Sequence, residues 1–103
     1  MIIYNVTINI DQSVHEHWLE WMKNEHVQEV MRTNCFEGCT ICRILHTEVE
    51  TEQEYTYCFQ YTCQSMVQLE HYKTHFAPAL QHDVEQRYAN KFVAFRTVLE
   101  ILN

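Results

Sequence analysis

His26 falls in the middle of an amphipathic run, between Met22 and Val30 on the arc that also carries Trp18 and Leu19. An imidazole placed there needs a hydrogen-bond partner or a cavity to face. Two readings stand open: a general base or ligand donor lining a pocket between helix and sheet, or a satisfied core histidine near the helix end. Arg96 raises the same question among the apolar residues of the C-terminal run, as Arg43 does further up the chain. A buried guanidinium calls for a carboxylate, such as Glu100 of a second copy, or for an anionic ligand. Asn5, Thr7 and Gln60 would share a sheet face with Arg96 in one strand register, whereas a shift of one residue inverts that grouping. Tyr4, Trp18 and Tyr72 are aromatics suited to a pocket wall, and Trp21, about 60° from Trp18 on the helical wheel, suits a pocket rim, a subunit contact or half-buried packing.

Seven histidines and five cysteines invite a metal reading. His71 and His75 have the i, i+4 spacing of one helix face, with His82 further on, but Tyr72 stands where a metalloprotease helix carries Glu, and Pro78 breaks the shared face. Cys35, Cys39 and Cys42 contain one CxxC. On a strand its two thiols point to opposite faces, and no second CxxC completes a zinc set. A catalytic CxxC would instead open a helix, where the dipole favours thiolate. The single glycine, Gly38, excludes a glycine-rich phosphate loop, and no GxSxG elbow occurs. Neither a resident metal nor a cofactor is expected.

The elements that would position these residues follow from periodicity. Ile2, Tyr4, Val6, Ile8 and Ile10 alternate with Ile3, Asn5, Thr7 and Asn9, which predicts a strand over 2–10 with one strongly apolar face. Ser13 and Glu16 have capping-box spacing, and the next seventeen or so residues, free of Gly and Pro, predict a long helix that exits at Asn34 and Gly38. Thr40 to Val49 reads as a second strand, Glu48 to Glu54 as a turn, and 55–63 as a third strand with Tyr55, Tyr57, Phe59, Tyr61 and Cys63 on one face. Ser65 with Gln68 suggests another capping box. Leu69, Tyr72 and Phe76 continue the helix until Pro78, where a second piece carrying Leu80, Val84 and Tyr88 begins and runs towards Asn90. Phe92 to Leu102 closes the chain as a β-rich run.

This order, βαββαβ, predicts an α+β, ferredoxin-like sandwich: an antiparallel four-stranded sheet with helices on one face, built as a single domain over 1–103. The other face is left bare. Ile3, aliphatics of the second strand such as Ile41, and large residues of the last strand are expected on it, and a second copy across a two-fold axis is the simplest cover.

Composition narrows the partners. Lys plus Arg number 7 against 14 Asp plus Glu, a formal net charge of −7, which is the wrong sign for following a phosphate backbone, so nucleic acid is not expected. No apolar stretch approaches the ~20 residues of a membrane span, and the first residues alternate rather than forming a secretory signal, so a cytoplasmic protein with reduced thiols is expected.

The opening MIIYNVTINID, the helix WLEWMKNEHVQEV, the segment HFAPAL and the closing KFVAFRTVLE resemble a bacterial family known as domain-of-unknown-function family 4286. The resemblance runs nearly end to end and implies the dimeric α+β barrel superfamily, in which two ferredoxin-like sheets pack face to face. That superfamily includes cofactor-independent monooxygenases, haem-degrading enzymes and isomerases. Its haem-degrading members use an Asn on the first strand, where Asn5 stands, together with a Trp and a His, but no catalytic role is carried over. One architecture hosts many chemistries. Three function classes follow: a homodimer binding a small organic ligand at candidates Tyr4, Asn5, Trp18, His26, Tyr72, His75 and Arg96; a cofactor-independent monooxygenase or isomerase with His26 or His75 as base; and a protein-interaction or assembly module.

Overall fold

A computed structural model describes residues 1–46, 48 and 55–103. The first strand, β1 (Ile2–Ile10), is paired on both sides, antiparallel to β3 (Thr56–Cys63) and to β4 (Phe92–Glu100), while β2 (Gly38–Arg43) lies outside β3. The order β2-β3-β1-β4 is that of an α+β ferredoxin-like sheet. The registers place Tyr4 between Tyr61 and Val98, and Val6 between Phe59 and Arg96. One alternation therefore serves four strands. Ile2, Tyr4, Val6, Ile8 and Ile10 face the helices and are all buried, as are Tyr57, Phe59, Tyr61 and Cys63 beside them.

The first helical stretch differs from the regular helix its pattern suggests. Asp11, not Ser13, caps it: the Asp11 carboxylate accepts from the Ser13 N–H at 2.8 Å and from the Ser13 hydroxyl at 2.6 Å. A 3-10 turn (Gln12–Val14) leads into α1 (His15–Trp21), then a π-helical turn (Met22–His26), then α2 (Val27–Arg32). In the π turn the Val27 N–H reaches back five residues to the Met22 carbonyl. Val27 thereby takes the buried place below Met22 that i+4 spacing would give to His26, and His26 moves to the flank. The stretch ends at Asn34, whose φ of 61° is a left-handed position that Asn tolerates.

Ser65 caps α3 (Met66–His75) as its spacing predicts, its hydroxyl accepting from the Gln68 N–H. Pro78 lies in the first turn of α4 (Ala77–Arg87), where its missing N–H has no intrahelical partner to lose. Tyr88, just past α4, hydrogen-bonds His17 of α1 at 2.7 Å and ties α4 to α1. The second strand is shorter than its sequence suggests. It leaves the ladder after Arg43, opposite Tyr57, because β3 itself begins at Thr56. Val49 and most of the predicted turn at 48–54 lie outside the described residues.

The helix-free face is polar in its middle. Asn5, Thr7 and Asn9 run beside Thr56, Cys58, Gln60 and Thr62. The Asn5 amide donates to the Thr7 hydroxyl at 3.1 Å, and the Asn9 amide donates to that of Thr56 at 2.8 Å. Ile41 is not on this face. Its register opposite Phe59 sends it towards the helices, leaving Thr40 and Cys42 outside. The apolar patch is therefore carried by β4, where Val93, Phe95 and Leu99 are 71%, 60% and 40% exposed, together with half-buried Ile3.

Removing the Ser65 hydroxyl leaves a helix-terminal N–H without its cap. Ser65→Ala should lower unfolding free energy by about 1 kcal/mol at unchanged denaturant slope, as read from urea titration. No loss would show the cap to be idle.

Candidate functional site

A cavity of about 690 Å³ lies between the sheet and the helices. Its floor is built by the helix-facing side chains of β1 and β3, among them Tyr4, Val6, Phe59 and Tyr61, and its roof by Met22, His26, Val30 and Tyr72. Along the open side, α4 contributes His82, Glu85 and Gln86, and β4 contributes Phe92, Ala94 and Arg96. Several of these last residues are exposed, so the mouth lies between α4 and β4. The walls are mostly aromatic and aliphatic. The polar groups gather at the mouth, where Gln81, His82, Glu85, Gln86, Asn90 and Arg96 line it.

Arg96 projects towards the helix side from the middle of β4, directly opposite Val6. Its guanidinium lies near the Tyr4 hydroxyl; burial pushes that hydroxyl above its usual range, with Arg96 pulling the other way. The Tyr61 and Tyr72 hydroxyls are pushed up strongly by the same loss of water. All three phenols stay protonated at neutral pH. Beside Tyr61 the Cys39 thiol is pushed up to about 11, again chiefly by burial, which makes it an inert packing group.

His26 owes its position to the π turn. Its Nδ1 is buried without a hydrogen-bond partner, which disfavours the satisfied-core reading, and the ring stands 5.7 Å from that of Trp21. Burial lowers its pKa from 6.5 to about 4; Asp83 opposes that shift and Arg96 adds to it. The imidazole is neutral in the folded protein at physiological pH.

Of the residues singled out in sequence, Tyr4, His26, Tyr72 and Arg96 meet at this cavity. Trp18 does not line it. Fully buried, it packs edge-on against Phe59 at 5.8 Å, in the core beside the site. Asn5 lies on the opposite face, with Thr7 and Gln60, so the grouping of these three with Arg96 fails: Asn5 pairs with Thr97, and Arg96 is one residue out of phase. His75 sits exposed on α3, its ring 4.5 Å from that of His71, away from the cavity. Trp21 is half-buried and packs against Tyr88 and under the Arg87 guanidinium, 4.7 Å above its ring. Cys39 and Cys42 point to opposite faces, and no cluster of three or more metal-ligating side chains occurs among the described residues.

Sequence reasoning missed Tyr61, Phe92 and the α4 residues of the mouth. Tyr61 was accessible to it, since strand alternation and a pairing with Tyr4 put two phenols side by side. The α4 wall depends on the angle at Phe76, which no local pattern encodes.

An antiparallel sheet of this order, helices on one face and a cavity beneath them, defines an α+β ferredoxin-like protein. The chain belongs to the family described as a domain of unknown function, DUF4286, whose model matches residues 1–102. Among solved structures it is similar to HapK from Hahella chejuensis (TM-score 0.69, 11% identity, covering 99% of this chain and 93% of that one). It is also similar to an antibiotic biosynthesis monooxygenase (TM-score 0.63, 10% identity, 100% of both chains). A dimeric ferredoxin-like protein from an uncultured marine organism matches with a TM-score of 0.56 at 12% identity, over 99% of this chain and 96% of the other. At these identities the likeness is one of fold. Comparison with curated proteins finds no match. No helix among the described residues is long and apolar enough to cross a membrane.

The neutral state of His26 has a measurable consequence. Above pH 6.5 neither the folded nor the unfolded chain is protonated there, and the stability contribution is complete. Between 6.5 and about 4 the unfolded chain takes up a proton that the folded one refuses, so stability falls as pH falls. The stability difference between the wild type and His26→Leu should therefore shift against the wild type by on the order of 3 kcal/mol between pH 7 and pH 4. Urea unfolding at several pH values measures it. A pH-independent difference would mean that His26 titrates normally.

Proposed function

We propose that this chain forms a two-fold homodimer and that each copy binds a small organic ligand in the cavity between its helices and its sheet. The cavity carries the reading. Its volume of about 690 Å³ falls within the roughly 300–1,000 Å³ typical of small-molecule sites, and its apolar floor and roof beneath a polar mouth suit a ligand with one apolar and one polar end. Thermal-shift screening against small aromatics, haem and organic anions tests it. A ligand at a hundred times its Kd adds about 2.7 kcal/mol, which for a chain of this size raises Tm by on the order of 10 °C. No shift with any compound would remove the support for a ligand site.

The dimer reading rests on the exposed stripe of Val93, Phe95 and Leu99 with Ile3 on the helix-free face, and on the fold's similarity to a protein described as dimeric. A two-fold axis lets one patch cover its own copy, and closing it gains roughly 25 cal/mol per Å² of apolar area, partly offset by lost rotational and translational freedom. Light scattering at micromolar concentration should give a mass near twice 12.5 kDa, and Phe95→Glu should move it towards monomer. A monomeric wild type would overturn this half of the proposal. The five free cysteines support a reducing compartment, in keeping with a cytoplasmic location.

A second reading, a cofactor-independent monooxygenase or isomerase, draws on the similarity to an antibiotic biosynthesis monooxygenase and on an imidazole held neutral beside the cavity. His26 is then the candidate base and His75 is not, since it lies elsewhere. Unchanged turnover of a bound compound by His26→Ala would eliminate that role.

A further inference from the structure

In a cavity of this size, the polar groups without protein partners indicate what an occupant must carry. Arg96, exposed at the mouth, makes no ion pair among the described residues; it lies near the Tyr4 hydroxyl, which does not neutralise it. The carboxylate of Asp83 is engaged by Arg87 at 3.2 Å. His26 has Nδ1 sealed and unpartnered, while Nε2 is not among the sealed atoms. A bare lone pair costs less than a bare N–H, so the proton belongs on Nε2, and His26 offers a donor to the cavity. Arg96, the Nε2–H of His26 and the phenol hydroxyls are all donors. On the acceptor side, Gln81, Gln86 and Asn90 add uncharged amides, and Glu85, exposed on α4 at the mouth, is the one carboxylate among the lining residues.

Resting on the ligand-site reading above, we infer that the cavity's occupant is an aromatic monocarboxylate, its carboxylate gripped by Arg96 and its ring lying against Tyr4 and Tyr72, whose own rings meet edge-on. A guanidinium presents two parallel N–H groups that match the two oxygens of a carboxylate. The aromatic walls favour a flat ring, which stacks or meets them edge-on at little conformational cost. One negative charge is the limit. A dianion would meet Glu85 at the mouth and a chain of formal net charge −7 around it, with a single cation to offset both.

Calorimetry on the full chain at pH 7 tests this with benzoate, 2-naphthoate and anthracene-2-carboxylate, each beside its neutral amide. At least one acid should bind tenfold or more tightly than its amide. Arg96→Met should remove that preference while leaving amide affinity within about twofold, and Arg96→Lys, which keeps the charge without the fork, should restore part of it. Circular dichroism and Tm confirm that the variants fold, which is expected because Arg96 lies on an exposed edge strand. Equal binding of acid and amide, or a preference that survives Arg96→Met, would overturn the carboxylate assignment and leave the cavity reading intact. Octanoate binding as tightly as 2-naphthoate would overturn the aromatic part. If neither series binds, this inference falls, and the ligand-site reading stands or falls on the broader thermal-shift screen.

Discussion

The double pairing of β1 is the constraint on which the rest of the structure depends. A strand hydrogen-bonded on both edges cannot slip without breaking two ladders, so its alternation of side chains sets the phase of β3 and β4 together. From that phase follow the aromatic floor under the helices, the Tyr4–Arg96 contact within it, and the polar row of Asn5, Thr7 and Asn9 on the reverse. β4 is an edge strand, but its register against β1 fixes which way Arg96 faces. Paired to β1 along its whole length, β4 has one option.

Against this rigid sheet, the first helical stretch is where regularity is given up. The extra residue of the π turn costs a well-formed hydrogen-bond register and leaves a buried imidazole nitrogen without a partner, while Trp18, Met22 and Val30 remain packed on the sheet. Such departures are tolerated where neighbouring packing is strong, and Trp18 against Phe59 and Tyr57 supplies that packing. The site is thus built at the join between a well-packed helix and a sheet that leaves space beneath it.

Much of the fold was legible in the sequence because its signals are local and periodic. The alternation in 2–10 and 55–63, the Ser65 cap and the first-turn Pro78 each specify their element without reference to the rest of the chain. Strand register is not local, which is why Arg96 could be grouped with Asn5, and Ile41 with the open face. The π turn escaped for a different reason: Trp21 to His26 contains no Gly, Pro or other breaker, and its bulge is set by what packs beneath it. Within the candidate site, Tyr4, Tyr72 and His26 were visible as apolar-face residues, whereas the α4 wall arises only when two helices meet at Phe76.

Phe95 and Arg96 are chain neighbours on β4 whose side chains leave the sheet in opposite directions, one into the apolar stripe and the other into the cavity. A single peptide unit separates the two surfaces. Because the backbone of a strand moves as a unit, any tilt or slide of β4 that improves contact on one side is the same tilt or slide on the other. In the proposed dimer, self-association and occupancy would therefore draw on one mechanical degree of freedom, and whichever event came first would set the geometry met by the second, with equal effect in either order.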